Sequence, residues 1–126
     1  MVTTATATIL LVEDDSLLRH AFRLLLEDAG YRIHEAGTAH EAIEIARDSA
    51  PDLILLDLGL PDAPGLDVAR TVRLQESTQD TPIIALTGRV GADEKRECIA
   101  AGCTSYLTKP IEPKELLRRL PEFLRG

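Results

Sequence analysis

Several residue types that mark particular protein classes are scarce in this sequence of 126 residues. It has no tryptophan, two cysteines and only 3% aromatic residues. Because two thiols are too few for a disulfide framework or a structural zinc site, we expect Cys98 and Cys103 to be small, half-buried apolar side chains. Positive charge is also in deficit: the net charge of -7 argues against non-specific binding to nucleic acids or anionic membranes.

Long apolar runs are missing as well. No stretch approaches the roughly 18 residues that a membrane-spanning helix needs, and the first residues lack the basic start and apolar run of a signal peptide. We therefore expect a cytoplasmic protein. The length and the 44% hydrophobic content predict one globular domain over residues 1–126, with its core at about 7–124.

What the sequence does contain is a series of apolar segments that end on polar residues. Residues 53–56, Leu-Ile-Leu-Leu, have no polar member and lead directly to Asp57. That pattern is typical of a central strand in a parallel sheet, which is covered on both faces. Open α/β sheets bind ligands at the carboxyl ends of their strands, so Asp57 is a candidate site residue.

Apolar periodicity predicts five strands alternating with five helices. The strands are expected at 7–12, 31–36, 53–57, 82–86 and 105–108. The helices are expected at about 16–29, 39–49, 66–75, 93–101 and from 113, with Pro121 kinking or ending the last. Since the second and fifth strands mix polar and apolar residues, they belong at the edges. The prediction is an α/β doubly wound five-stranded parallel sheet of order 2-1-3-4-5, a three-layer sandwich.

In that order the carboxyl ends of four strands lie side by side. They carry Glu13 and Asp14, Asp57, Thr87 and Lys109. Two carboxylates about 4 Å apart repel by roughly 4 kcal/mol at an effective dielectric near 20, so the acids require a cation. Hard oxygen ligands with room for water suit Mg²⁺, and Mg²⁺ with Lys109 would balance the three negative charges.

A metal-bound carboxylate beside a lysine and a hydroxyl is suited to receive a phosphoryl group. Phosphoryl transfer needs mainly in-line positioning and neutralisation of the charge on the transferred oxygens. Asp57 would be the nucleophile, Lys109 would neutralise charge and Thr87 would donate a hydrogen bond. Asp15, in contrast, is expected to cap the first helix.

Four motifs resemble those of the receiver domain of bacterial response regulators, the CheY-like family. They are Leu10-Leu11-Val12-Glu13-Asp14-Asp15, Leu55-Leu56-Asp57-Leu58-Gly59-Leu60-Pro61, Ala85-Leu86-Thr87 and Tyr106-Leu107-Thr108-Lys109-Pro110. The resemblance covers nearly the whole chain, and the strand order predicted above is the one known for this flavodoxin-like fold.

The resemblance implies a role for each site residue. Asp57 would be the phosphoacceptor. Asp14, Asp57 and the main-chain carbonyl of Gly59 would bind Mg²⁺ directly, while Glu13 would act through metal-bound water. Lys109 would contact the phosphoryl group, and its peptide bond to the following proline would be cis.

The resemblance further implies a switch pair: Thr87 would move toward the phosphoryl group and Tyr106 would rotate into the vacated space. We expect the signalling surface at the helix at 93–101, the strand at 105–108 and the last helix, because they lie near this pair and the helix at 93–101 has few apolar residues. Arg89 could lie beside the phosphoryl group, since Gly59 offers no side chain there. Cys103-Thr104-Ser105 and Pro121 depart from the family pattern of regulators that dimerise through the last helices.

The expected partners follow from the same resemblance. A histidine kinase or a histidine phosphotransfer protein would donate the phosphoryl group, and a downstream protein would bind the switched surface. We expect no binding of nucleic acid or membrane by this domain, a monomer or weak dimer, and no enzymatic activity beyond self-catalysed phosphoryl acceptance and acyl-phosphate hydrolysis.

Other functions fit the sequence less well. The receiver could be excised from a hybrid histidine kinase or a larger regulator, although Met1 and the short leader favour a stand-alone protein. A Mg²⁺-dependent phosphatase of haloacid dehalogenase type would carry its nucleophile after the first strand, and here Asp57 follows the third. A flavin-binding domain would need a phosphate-binding loop where Glu13 and Asp14 stand.

Overall fold

The computed structural model describes residues 7–89 and 91–125, and it shows five strands alternating with five helices. The strands are β1 (Thr8–Val12), β2 (Arg32–Ala36), β3 (Leu53–Asp57), β4 (Ile83–Thr87) and β5 (Ser105–Thr108). The helices are α1 (Ser16–Asp28), α2 (Ala39–Ser49), α3 (Gly65–Leu74), α4 (Ala92–Ala100) and α5 (Pro113–Arg125). Apart from the end of α5, each boundary lies within one residue of its predicted position.

The strands form one parallel sheet in the order β2-β1-β3-β4-β5, which confirms the predicted topology. The strands are in a register that aligns their carboxyl ends. Val12 on β1 pairs with Leu56 on β3, and Asp57 pairs with Leu86 on β4. The residues that follow β1, β3, β4 and β5 therefore meet at one edge of the sheet.

Helices cover both faces of this sheet, and successive strand residues point to opposite faces. On one face the strands pack against α2, α3 and α4 through Leu10, Val12, Ile54, Leu56, Ile83 and Ala85. On the other they pack against α1 and α5 through Ile9, Leu11, Leu53, Leu55, Ile84 and Leu86. All five residues of β3 are buried, so Asp57 ends a strand that is rigidly held by packing.

The last helix departs from the prediction. We expected Pro121 to kink or end this helix; α5 continues through Pro121 to Arg125, so the helix does not end there, and a kink at Pro121 stays a prediction. Pro121 has no N–H to donate to the carbonyl of Leu117. Leu120, Phe123 and Leu124 pack in the core between the sheet and the helices α1 and α5, and this packing stabilises the last turns in spite of the lost hydrogen bond.

The two cysteines are free and more deeply buried than expected. Cys98 and Cys103 are 0% and 5% exposed, within the core that faces α2, α3 and α4. Burial raises the pKa of the Cys103 thiol to about 12, so this thiol stays protonated and behaves as an apolar side chain. Among the helices of the described residues, none combines the length and the apolar character needed to cross a membrane.

Candidate functional site

Three carboxylates meet at the carboxyl edge of the sheet. Glu13 and Asp14 directly follow β1, and Asp57 is the last residue of β3. Each offers an oxygen within 4.8 Å of the others, an arrangement that can hold a metal ion. Glu13 and Asp57 are buried whereas Asp14 is exposed, so a cation bound here would contact both protein and water.

A lysine reaches these acids from β5. Lys109 Nζ lies 2.9 Å from Asp57 Oδ1 and 3.3 Å from Glu13 Oε1. Its own main-chain N–H donates to the carbonyl of Thr87 at 2.7 Å, which continues the β4–β5 pairing past the end of the strand. The Lys109–Pro110 peptide bond is cis, as predicted.

These contacts shift the pKa values of the three groups. Burial, and then hydrogen bonding with Asp57, raises the pKa of Glu13 to about 7. Burial opposes ionisation of Asp57 too, but hydrogen bonds with Lys109, Glu13 and the Gly59 N–H together outweigh it, and the pKa of Asp57 lies below its ordinary value. Burial likewise opposes charge on Lys109, but pairing with Asp57 and Glu13 together outweighs it and raises the pKa of Lys109. At neutral pH Asp57 is therefore an ionised carboxylate.

The loop after β3 approaches this site closely. The Gly59 N–H donates to Asp57 Oδ1 at 3.2 Å. Gly59, whose main-chain carbonyl is predicted to bind Mg²⁺, therefore contacts Asp57 directly. A Cβ on Gly65 would lie 2.5 Å from the Cα of Leu58, which leaves no room for any other residue there. The loop is thus held in a compact conformation beneath the acids.

The same loop is tied to the start of α2. The Asp62 carboxylate accepts hydrogen bonds from the N–H groups of Ala39 and His40, at 2.8 and 3.1 Å. Thr38 caps this helix by accepting from the Glu41 N–H at 3.1 Å. Sequence reasoning missed Asp62, because nothing in the local pattern distinguishes it from a solvated loop aspartate.

The fourth strand brings a hydroxyl to the site. Thr87 ends β4 and is buried, and its Oγ1 accepts from the Arg89 N–H at 3.1 Å. The acids, Lys109 and Thr87 line one open cavity of about 620 Å³, together with Gly59, Arg89 and Glu94. The structure therefore brings together the residues predicted to act in catalysis and metal binding.

Tyr106 lies outside that lining. It pairs in register with Ala85 on β4 and packs against the core that faces α2, α3 and α4. Since Thr87 is two residues after Ala85, Tyr106 and Thr87 project on the same face of the sheet. This placement suits a switch pair, and the switch itself stays a prediction.

Three further side chains bear on the site. Asp15 caps α1 as predicted, accepting from the Leu17 N–H at 3.0 Å. Arg19 Nη1 donates to the carbonyl of Glu13 at 2.7 Å, which sequence reasoning missed because only the fold brings them together. Glu94 on α4 is 8% exposed and was also missed; the only signal was that α4 has few apolar residues to bury.

Comparison with known proteins identifies relatives over nearly the whole chain. The response regulator receiver domain family matches residues 9–121. The phosphate regulon transcriptional regulatory protein PhoB of Pseudomonas aeruginosa is 42% identical over 118 residues, which are 94% of this chain and 52% of that protein. The virulence transcriptional regulatory protein PhoP of Salmonella typhimurium is 37% identical over 117 residues, 93% of this chain and 51% of that protein. The chain thus spans about half the length of these curated relatives.

Solved structures show the same fold. The chemotaxis response regulator CheY4 of Vibrio cholerae superposes with a TM-score of 0.89 at 33% identity, over 94% of this chain and 98% of that one. The receiver domain of the sensor histidine kinase PA1611 from Pseudomonas aeruginosa has a TM-score of 0.87 at 33% identity, over 96% and 99% of the two chains. That receiver was solved with a magnesium ion coordinated in its active site cleft. This chain belongs to the response regulator receiver domain family of two-component signalling.

Proposed function

We propose that this receiver accepts a phosphoryl group on Asp57, with Mg²⁺ bound beside it, and that the modification changes its affinity for a partner protein. One observation carries the proposal: an ionised, buried carboxylate at the end of β3 lies 2.9 Å from Lys109 Nζ, beside two more carboxylates. Thr87 opens on the same cavity. That is the set of groups that phosphoryl transfer to a carboxylate requires.

The acidic cluster fits Mg²⁺ by its chemistry. It offers three carboxylate oxygens within 4.8 Å of one another, and Mg²⁺ prefers oxygen ligands and keeps several waters. Asp14, Asp57 and the Gly59 carbonyl would hold the ion directly, with Glu13 acting through a water. The magnesium ion in the PA1611 receiver supports this choice of metal. The bound ion would neutralise charge on the transferred oxygens.

The residues of the chain then have distinct parts in the transfer. A carboxylate oxygen of Asp57 forms a bond to phosphorus as the bond from phosphorus to the histidine nitrogen of the donor protein breaks. No general base is needed, because the pKa of Asp57 lies below its ordinary value and the group is already ionised. Lys109 neutralises one transferred oxygen and Thr87 donates a hydrogen bond to another.

We also propose the partners that this chemistry implies. The donor would be a histidine kinase or a histidine phosphotransfer protein, and an output protein would bind the face formed by α4, β5 and α5. Thr87 and Tyr106 on that side of the sheet support this location. Beyond acceptance and hydrolysis of the phosphoryl group we propose no enzymatic activity, and the family match favours a receiver over a haloacid dehalogenase-type phosphatase.

The relatives contain receivers in three settings. CheY4, a chemotaxis response regulator of which the match covers 98%, supports a protein that acts alone. PhoB and PhoP, about twice the length of the matched region, support a larger transcriptional regulator. The PA1611 receiver, from a sensor histidine kinase, supports a hybrid kinase.

The test is incubation with acetyl phosphate and Mg²⁺ followed by intact mass measurement. We expect the addition of one phosphoryl group, dependent on Mg²⁺ and lost in Asp57→Asn. Asp48→Asn, which changes an exposed aspartate paired with Arg47, is the matched control and should be labelled like wild type. Labelling of Asp57→Asn at full yield would remove the assignment.

A further inference from the structure

One acid on α4 is buried among groups that do not belong to the metal site. Glu94 is 8% exposed, whereas Asp93 and Glu97 on the same helix are exposed. A buried carboxylate is costly unless it finds hydrogen-bond donors or positive charge. Within the described part of the chain, Glu94 pairs with the Thr87 hydroxyl, 3.4 Å from Oε1, and with the Arg89 guanidinium, whose Nε lies 3.6 Å from Oε2.

The Thr87 hydroxyl cannot serve two acceptors at once. It carries one proton, and it already accepts from the Arg89 N–H at 3.1 Å. In the arrangement seen here that proton can go to Glu94 or, at 3.5 Å, to the carbonyl of Arg89. A phosphoryl group on Asp57 would offer Thr87 a doubly charged acceptor, and Glu94 would then lose its hydroxyl donor.

We propose that Glu94 is a positioning residue that holds Thr87 in its unphosphorylated arrangement and thereby opposes phosphorylation-dependent rearrangement. This inference rests on the proposed function of Asp57 and assigns a regulatory part to a side chain outside the metal site. If Thr87 moves toward Asp57, the buried carboxylate of Glu94 keeps only its contact with Arg89. Removing Glu94 removes that penalty, so the phosphorylated arrangement becomes easier to reach.

Mg²⁺ with fluoroberyllate, which mimics a phosphoryl group on a carboxylate, measures this directly. ¹⁹F NMR or calorimetric titration of Glu94→Ala should show binding about two- to tenfold tighter than wild type, the range of one weak hydrogen bond present in one state only. Glu97→Ala is the matched control: it removes the same charge one turn along α4, from an exposed position. Its affinity should stay within about twofold of wild type, since exposed charges are screened.

A double-mutant cycle separates positioning from simple charge removal. If Glu94 acts through the hydroxyl, Glu94→Ala should have no effect on fluoroberyllate affinity in a Thr87→Ala background. A persistent gain in that background would assign the effect to charge alone and overturn the proposal. Unchanged or weaker binding by Glu94→Ala with Thr87 present would also overturn it.

Two further measurements keep the outcomes distinct. Should Glu94→Ala fail to fold, Glu94→Met also removes the acceptor for Thr87 and keeps a side chain of similar length in the buried position. It should show the same gain in affinity as expected for Glu94→Ala, and no gain over Glu97→Ala overturns the proposal. Wild type that binds no fluoroberyllate, or binds it equally in Asp57→Asn, defeats the proposed function and this inference with it. Asp57-dependent binding with no effect of Glu94 defeats this inference alone.

Discussion

The two sides of the cavity differ in how firmly they are held. On the acidic side, the loop between β1 and α1, Arg19 donates to the Glu13 carbonyl at 2.7 Å and Asp15 caps the helix that follows. On the hydroxyl side, the loop between β4 and α4, the hydrogen bonds of Thr87 Oγ1 are 3.1 to 3.5 Å long. α4 begins after Gly91 without a side-chain cap.

Two arginines show the same contrast. Arg19, with a side chain 21% exposed, pairs with Glu35 at 3.0 Å as well as with the Glu13 carbonyl. Arg89, with a side chain 82% exposed, lies 3.6 Å from Glu94. The difference matches what the proposed function asks of each side: the acids would be held together against their repulsion, whereas the hydroxyl side would rearrange. Firm anchoring and weak anchoring are therefore both part of the function we propose.

The largest difference should appear when each arginine is removed. Arg19→Ala should lower the free energy of unfolding by about 2 kcal/mol, because it deletes a charged hydrogen bond to a carbonyl and a partly buried ion pair. Arg89→Ala should change it by no more than about 0.5 kcal/mol, as for most exposed side chains. Urea unfolding in EDTA checks both. Equal destabilisation by the two variants would break the comparison.

The acidic side should also respond to pH in a particular direction. Since the pKa of Glu13 in the folded protein is raised to about 7 from an ordinary value of 4.5, the folded state binds a proton more tightly than the unfolded state. This group therefore makes the metal-free protein less stable as pH rises from about 5 to 7, by about 1–2 kcal/mol after allowance for solvent screening. Asp57 does not interfere, because its pKa is lowered and its contribution is lost only at more acidic pH.

Glu13→Gln isolates that response. We expect the free energy of unfolding of the variant, measured with urea in EDTA, to fall less than that of wild type between pH 5 and 7. The difference should be about 1–2 kcal/mol. Saturating Mg²⁺ should flatten the slope of wild type, because a cation favours the ionised form of Glu13. An identical slope in Glu13→Gln and wild type would mean that burial and Asp57 do not raise the pKa of Glu13, and the acidic side would not need its firm anchoring.

The fold and the main site residues were predictable because each depends on a local pattern or on strand order. Residues 53–56 are uniformly apolar, so they indicate a central strand, and a central strand carries Asp57 to the ligand-binding edge. Lys109 and Thr87 follow by the same reasoning from β5 and β4. The cis Lys109–Pro110 bond came from the family resemblance, not from the pattern of residues.

What could not be predicted depends on how helices and loops pack against the sheet, including contacts between residues only six or seven apart in sequence. Asp62 caps a helix that begins 23 residues before it, and Arg19 reaches a carbonyl only because α1 folds back over β1. Glu94 has the sequence pattern of a solvated helix residue, yet α4 turns it toward β4. Tertiary packing likewise carries α5 past Pro121, where local preference predicted an end or a kink.

Arg89→Ala, which should affect stability least, should still shorten the lifetime of the phosphorylated state. Arg89 lines the cavity with Asp57, and Gly59 contributes no side chain there; a Cβ on it would lie 3.9 Å from Asp57 Oδ1. In the phosphorylated state that we propose, Arg89 would therefore cover the approach of the water that hydrolyses the acyl phosphate. Arg89→Ala should hydrolyse it about two- to fivefold faster, a barrier change below about 1 kcal/mol. Intact mass followed over time after removal of acetyl phosphate gives the lifetime, with Arg96→Ala, an exposed arginine of α4 that does not line the cavity, as control. An unchanged lifetime would show that Arg89 does not affect hydrolysis, although the hydroxyl side is loosely held. A shorter lifetime would show that a weakly anchored residue can control the rate of hydrolysis without stabilising the fold.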